Sequence, residues 1–200
     1  MPKFSDSERA IIHEKLLTEG ERLFIRHGLR KVTVDDLVNC TGIAKGSFYA
    51  FYKSKEHLYA EILFSIQNKV LAGTEIFLKE NSSLNPKELI IELITWSYDE
   101  IEKYPMMLQH DYELWVYLVR KLPKDVLDRY SDLNIQVAKL LAEHGVKFKY
   151  ETDIVVGVFQ ALSVVYDSMM VKNEMSNNAV MDILVNGIVN EIVEQIGDDI

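Results

Sequence analysis

Thr33-Val34-Asp35-Asp36-Leu37-Val38-Asn39-Cys40-Thr41-Gly42-Ile43-Ala44-Lys45-Gly46-Ser47-Phe48-Tyr49-Ala50-Phe51-Tyr52 decides the fold. Thr33 can cap a short helix, and Asp35 and Asp36 favour the positive end of its dipole. That helix ends near Cys40, before the turn Thr41-Gly42-Ile43. Gly42 allows the left-handed backbone that such a turn requires. A second short helix runs from about Ala44 to Tyr52. Val34, Leu37, Val38, Ile43 and Phe48 are apolar at spacings that seat both helices on a third. This is the pattern of a helix-turn-helix. The second helix opens with Lys45, Gly46 and Ser47, short or basic residues suited to entering a major groove. Free amides at such an end also favour phosphate. Tyr49 and Tyr52 follow on one face, with hydroxyls that can reach phosphate oxygens.

Upstream, Ser5-Asp6-Ser7-Glu8 reads as a capping box. Leu16, Leu17, Gly20, Leu23, Phe24 and His27 then share one helical face, and Gly28 marks the stop. Downstream, Ser54 caps a long helix reaching about Lys79. Pro86 opens a helix to Tyr104, Pro105 begins another to about Lys121, and a further one follows Leu122-Pro123 to His144. The last two run from about Glu151 to Lys172 and from about Asn177 to Gln195. No alternating strand pattern interrupts them. The expectation is an all-α chain of about nine helices, with a helix-turn-helix domain over residues 1–53 and a second domain over 54–200.

The matching residues are Leu16-Leu17, Gly20, Leu23-Phe24, Gly28, Thr33-Val34, Leu37-Val38, Gly42-Ile43, Lys45-Gly46-Ser47-Phe48-Tyr49, Ser54-Lys55-Glu56 and Leu58. In this spacing they resemble the amino-terminal domain of tetracycline-repressor (TetR) family regulators. The resemblance covers Leu16 to Leu58 without a gap. It implies a homodimeric repressor of double-stranded DNA, bound at a partly palindromic operator and released by a small molecule held in the carboxy-terminal domain. It implies that Thr33 caps its helix and touches a phosphate. Lys45, Gly46 and Ser47 meet bases or backbone, and Tyr49 and Lys55 bind phosphate. Tyr52 occupies one of the family's paired aromatic positions. Ala44 departs from the serine common at that cap. Val38, Thr41 and Gly20 stand where alanines are common.

Charge first argues against such a partner. The chain carries a net charge of −9. Residues 1–57, however, hold ten Lys/Arg against eight Asp/Glu, a net +2, and residues 58–200 a net −11. Arg30, Lys31, Lys45, Lys53 and Lys55 fall near the expected DNA face. The acidic remainder would confine DNA to that end.

Residues 96–118 concentrate aromatics and methionines. Trp96, Met106, Tyr112, Trp115 and Tyr117, with Phe159 and Tyr166 from a later helix, are the expected lining of a lipophilic effector pocket. Glu100, Glu102, Asp111 and Glu113 lie among them, which would suit a lipophilic cation. The last two helices are apolar on more than one face and need two partners, the domain's own core and a second subunit. Val158, Leu162, Val165, Ile183, Leu184 and Ile188 are the expected dimer residues.

Other functions find little support. The single Cys40 excludes an internal disulfide. The five histidines show no ligand spacing, and HExxH, CxxC and GxSxG are absent, so neither enzyme, metal nor cofactor is expected. The amino end lacks the apolar core of a signal peptide. Ile154 to Val171 is the most apolar stretch, but it carries Gln160 and Asp167, so it reads as a buried helix, not a membrane span. A cytoplasmic protein is expected. Two alternatives stay open: an activator or architectural DNA binder without an effector, and a protein-interaction module with a degenerate helix-turn-helix.

Overall fold

Ser5 and Glu8 close the first helix as a reciprocal cap. Ser5 Oγ accepts the Glu8 N–H, and the Glu8 carboxylate accepts the Ser5 N–H at 2.8 Å. The computed structural model describes residues 4–108, 112–130, 133–170 and 177–194. Its helices are α1 (Asp6–His27), α2 (Val34–Thr41), α3 (Lys45–Phe48), α4 (Lys55–Glu80), α5 (Pro86–Glu102), α6 (Pro105–Leu108), α7 (Tyr112–Lys121), α8 (Lys124–Tyr130), α9 (Leu133–Glu143), α10 (Thr152–Met170) and α11 (Asn177–Ile192). The fold is all-α. Among the described residues the only bridge pairing is an isolated one between Phe148 and Val193.

Among the described residues eleven helical segments stand where about nine helices were expected. The expected helices over 105–121 and 123–144 each include residues outside the description, 109–111 and 131–132. One expected helix is shorter. α3 ends at Phe48 and not Tyr52, because Ala50 and Phe51 bond to carbonyls three residues back, those of Ser47 and Phe48. That winding is tighter than α-helical and does not propagate far.

The chain groups into two compact units: residues 1–67 with 104–130, and residues 68–103 with 131–200. Both draw on α4. In the first unit, Leu16, Phe24, Leu37, Phe48, Leu58 and Tyr59 are buried together with Leu63. Burial of side chains this size contributes about 1.5–3 kcal/mol each before entropy is charged against it. Gly20 lets α1 approach α4 closely: a Cβ there would lie 3.0 Å from Leu58 Cδ2 and 3.2 Å from Ile62 Cδ1. The second unit is built on Leu78, Ile90, Leu93, Leu141, Val155, Leu162, Val185 and Val189. Asn85 caps α5 with Pro86 in its first turn, as the proline position predicts.

Candidate functional site

Thr33 is the hinge on which the helix-turn-helix is set. Its Oγ1 accepts the Asp36 N–H at 3.2 Å, and the Asp36 carboxylate accepts both the Thr33 N–H at 2.8 Å and its hydroxyl at 2.7 Å. The Thr33 side-chain bond, then its backbone N–H, hold the Asp36 carboxyl below the usual range. Sequence reasoning placed this cap but assigned both aspartates to the dipole and missed the reciprocal bond. Gly42 sits at φ 74°, ψ 25°, and its N–H returns to Val38 O at 2.9 Å. This left-handed residue turns the chain into α3, where Ala44 supplies no side-chain cap.

The expected DNA-facing residues divide. Thr33, Lys45, Gly46 and Tyr49 are exposed, and a Cβ on Gly46 would meet nothing within 4 Å. Ser47 and Tyr52 are buried, Tyr52 to 5% exposure. The Tyr52 ring stacks on His13 and lies 5.9 Å from Phe48. Burial, then the Glu61 carboxylate, push its phenol up. Tyr52 therefore stands as a packing residue and not on the open face. Lys55 also differs from expectation. Its ammonium donates to the backbone carbonyls of Leu29 at 2.8 Å, Arg30 at 3.1 Å and Val32 at 2.6 Å. An ammonium has three protons, and all three are engaged. Lys45 pairs with Asp35, and Arg30 with Glu113 at 3.5 Å. The basic face is thus largely partnered within the protein, which a charge count could not show.

The first unit contains a second network. Tyr117 donates its hydroxyl to Glu56 at 2.6 Å, and the Arg30 guanidinium lies 5.7 Å from the Tyr117 ring centre. Burial works to raise the Glu56 carboxyl, but bonds from the Ser54 and Tyr117 hydroxyls outweigh it and hold the group below its usual range. Burial, then the bond to Glu56, push the Tyr117 phenol up to about 12.

The second unit holds a cavity of about 110 Å³ among α4, α5, α9 and α10. Ile90, Leu93, Val137 and Phe159 form apolar wall, and Ser97, Tyr98, Asn134 and Ser163 add polar atoms. Among the described residues no charged side chain lines it. Tyr98 stacks face to face on Tyr166, with ring centres 3.7 Å apart and planes within 2°. The expected pocket set does not assemble here. Phe159 lines the cavity, and Tyr166 touches it through Tyr98. Trp96 packs instead on Phe77, 5.3 Å between ring centres, and against Gly73. Met106, Trp115 and Tyr117 belong to the other unit. The Tyr112 side chain and Asp111 lie outside the described residues. The acidic residues are also elsewhere: Glu100 pairs with Lys103, Glu113 with Arg30, and Glu102 accepts the Tyr166 hydroxyl at 3.3 Å. Among the described residues the cavity has no carboxylate lining for a cation.

The expected dimer set also divides. Leu162 is core, and Val158, Val165, Leu184 and Ile188 pack against that same core. Ile183 is 73% exposed. The outward residues are Ile154, Val164, Val180 and Ile183, with Gly157 and Gly187 open beside them. Spacings of three and four place each set on one helical face. Both faces are apolar, so hydrophobicity alone could not tell inside from outside; the small residues were the available signal.

Among the described residues no cluster of His, Cys, Asp or Glu is placed to hold a metal, and no helix is long and apolar enough to cross a membrane.

Residues 16–62 match the family model for bacterial regulatory proteins of the tetR family. The HTH-type transcriptional repressor KstR2 of Rhodococcus jostii is 32% identical over 88 residues, covering 44% of this chain and 42% of that protein. The HTH-type transcriptional regulator QacR of Staphylococcus aureus is 35% identical over 52 residues, covering 26% of this chain and 28% of that one. These matches span less than half the length of the curated relatives. Among solved structures, the fatty acid degradation regulator FadR from Bacillus halodurans superposes with a TM-score of 0.61 at 15% identity, over 94% of this chain and 96% of that one. E. coli NemR in its reduced form gives 0.59 at 19% identity, over 90% and 97%. At these identities the likeness is one of fold.

Proposed function

We propose that this chain, whose residues 16–62 match the model of the tetR family, is a regulator of that family: a dimeric repressor that binds an operator through α2 and α3 and is released by an uncharged lipophilic molecule. The observation that carries the DNA-binding half is the open face of Lys45, Gly46 and Tyr49, set on a buried Leu37–Phe48 support. That KstR2 of Rhodococcus jostii is a transcriptional repressor supports repression. The uncharged lining that the described residues give the cavity supports a neutral effector over a cation.

Dimerisation is assigned to the outer faces of α10 and α11. Ile154, Val164, Val180 and Ile183 would be covered by their symmetry mates, with Gly157 and Gly187 allowing close approach. An interface of at least about 1,000 Å² is expected. A two-fold pair would present two α3 helices about 34–36 Å apart, or a multiple of that, to successive major grooves.

The proposed coupling runs through α4. At 26 residues it is about 39 Å long. Val70 and Thr74 on this helix line the cavity, and Lys55 in its first turn holds the carbonyls that precede α2. A ligand acts only through tighter binding to the form that does not fit DNA.

One observation favours a second reading. Lys45, Arg30 and Lys55 are all engaged within the protein, as in a helix-turn-helix that has ceased to bind DNA and serves as an interaction module. Selection from randomised duplexes separates the two. The operator reading expects a two-fold motif whose affinity falls steeply with salt. A thermal-shift screen with neutral, anionic and cationic lipophiles tests the effector, and stabilisation by cations alone would contradict it. DNA binding that no lipophile weakens would leave an activator or architectural binder.

A further inference from the structure

Asp35 and Asp36 are adjacent carboxylates in the first turn of α2, and they do different things. Asp36 closes the cap on Thr33. Asp35 takes no part in that cap. It reaches across the turn to α3, where Lys45 Nζ lies 2.9 Å from Oδ1 and 3.0 Å from Oδ2. The two side chains remain 53% (Lys45) and 63% (Asp35) exposed.

A pair this exposed adds little to stability. Its consequence is in what Lys45 meets next. Lys45 is the basic residue of α3, at its first position. An unpaired lysine there would be drawn to any phosphate, whatever the sequence. With Asp35 on it the pair is neutral, and a phosphate brought to the ammonium is also brought to a carboxylate. Base edges present a different surface. Guanine offers O6 and N7 to an ammonium, while cytosine offers an N4 amino group to a carboxylate. One G·C pair thus satisfies both halves of Asp35–Lys45, and phosphate satisfies only one.

We propose that Asp35 is a specificity-determining residue, which suppresses sequence-independent binding by Lys45 and directs the pair to a G·C base pair in each half-site. This rests on the DNA-binding reading above, and it names what the α2–α3 face selects.

The test compares the full-length chain with Asp35→Asn. Each is used to select from randomised duplexes, and each is titrated with one fixed duplex of mixed sequence over a range of salt. Asp35→Asn is expected to bind the mixed duplex about tenfold more tightly at low salt, with a log–log salt slope steeper by about one. Its selected motif is expected to lose preference at one G·C pair per half-site. Adding Lys45→Gln to Asp35→Asn is expected to abolish the gain. The Thr33–Asp36 cap is untouched, so the melting curve should move only slightly, by the loss of one first-turn charge and one exposed ion pair; Asp35→Ala serves if the introduced amide makes contacts of its own. An unchanged motif, or unchanged affinity for the mixed duplex, overturns the proposal while leaving DNA binding intact. A wild-type chain that selects no motif overturns the DNA-binding reading and this proposal with it.

Discussion

Tyr117 donates its phenol proton to Glu56 at 2.6 Å, joining α7 to the first turn of α4 across 61 residues of sequence. Glu56 is a buried carboxylate, so this bond is one of the few that keep it charged at little cost.

Tyr117→Phe removes that donor and leaves the carboxylate buried. The expected loss is about 1–2 kcal/mol at neutral pH, read as a lower melting temperature. The pH dependence has a definite sign. The folded Glu56 carboxyl lies below its ordinary 4.5. Its contribution is therefore present above that value and is lost as pH falls through the folded one. The Tyr117 phenol is raised to about 12 from 10.0, so its contribution is present below 10 and is lost as pH rises toward 12. Chemical denaturation of both proteins across pH should show the difference between them narrowing at each extreme. A constant difference would mean that the bond carries no ionic character.

Lys55→Met removes three donors from the carbonyls of Leu29, Arg30 and Val32. Some of that site is open to water, so the loss is expected at about 2 kcal/mol and not the full sum. Lys55→Arg should restore little, because a planar fork cannot reproduce three converging bonds. The check is thermal unfolding without DNA. A phosphate contact alone would leave unfolding unchanged and alter only the affinity for duplex.

Gly46→Ala separates stability from recognition. A Cβ at this position meets nothing within 4 Å, and alanine is better than glycine in a helix by up to about 1 kcal/mol. Unfolding should be unchanged or slightly later. On DNA the methyl would project from the reading face, so affinity for a selected duplex is expected to fall about tenfold, or about 1.4 kcal/mol. Equal affinity would move the reading face away from Gly46.

Local signals made much of this legible in the sequence. Ser5 with Glu8, Thr33, Gly42 and Pro86 each act within a few residues, and each is found where its chemistry puts it. The helix-turn-helix was legible for the same reason. Partners distant in sequence were not. Nothing near Lys55 announces that its ammonium ties down the chain between α1 and α2. Nothing near Trp96 tells that it packs on Phe77 while Phe159 lines the cavity. Aromatic density marks residues that will be buried and leaves open what they will be buried against.

The outer helices give the sharpest case of that ambiguity, and it can be tested. Ile183 and Leu184 are adjacent in α11, yet Ile183 points outward and Leu184 packs on the core. Val164 and Leu162 stand two apart in α10 with the same contrast, 68% against 4% exposed. Ile183→Glu and Val164→Glu put a charge where the isolated chain already meets water, so each monomer should fold with its melting temperature little changed. In the proposed dimer each would bury two like charges across the two-fold axis, an arrangement worth several kcal/mol against association. Sedimentation should therefore find these variants monomeric at concentrations where the wild type is dimeric, and operator affinity should fall with it. Leu162→Glu instead buries an unpaired carboxylate in the core and should unfold the chain. If Ile183→Glu remains dimeric, the subunits meet on another face, and the spacing of the two reading helices must be derived anew.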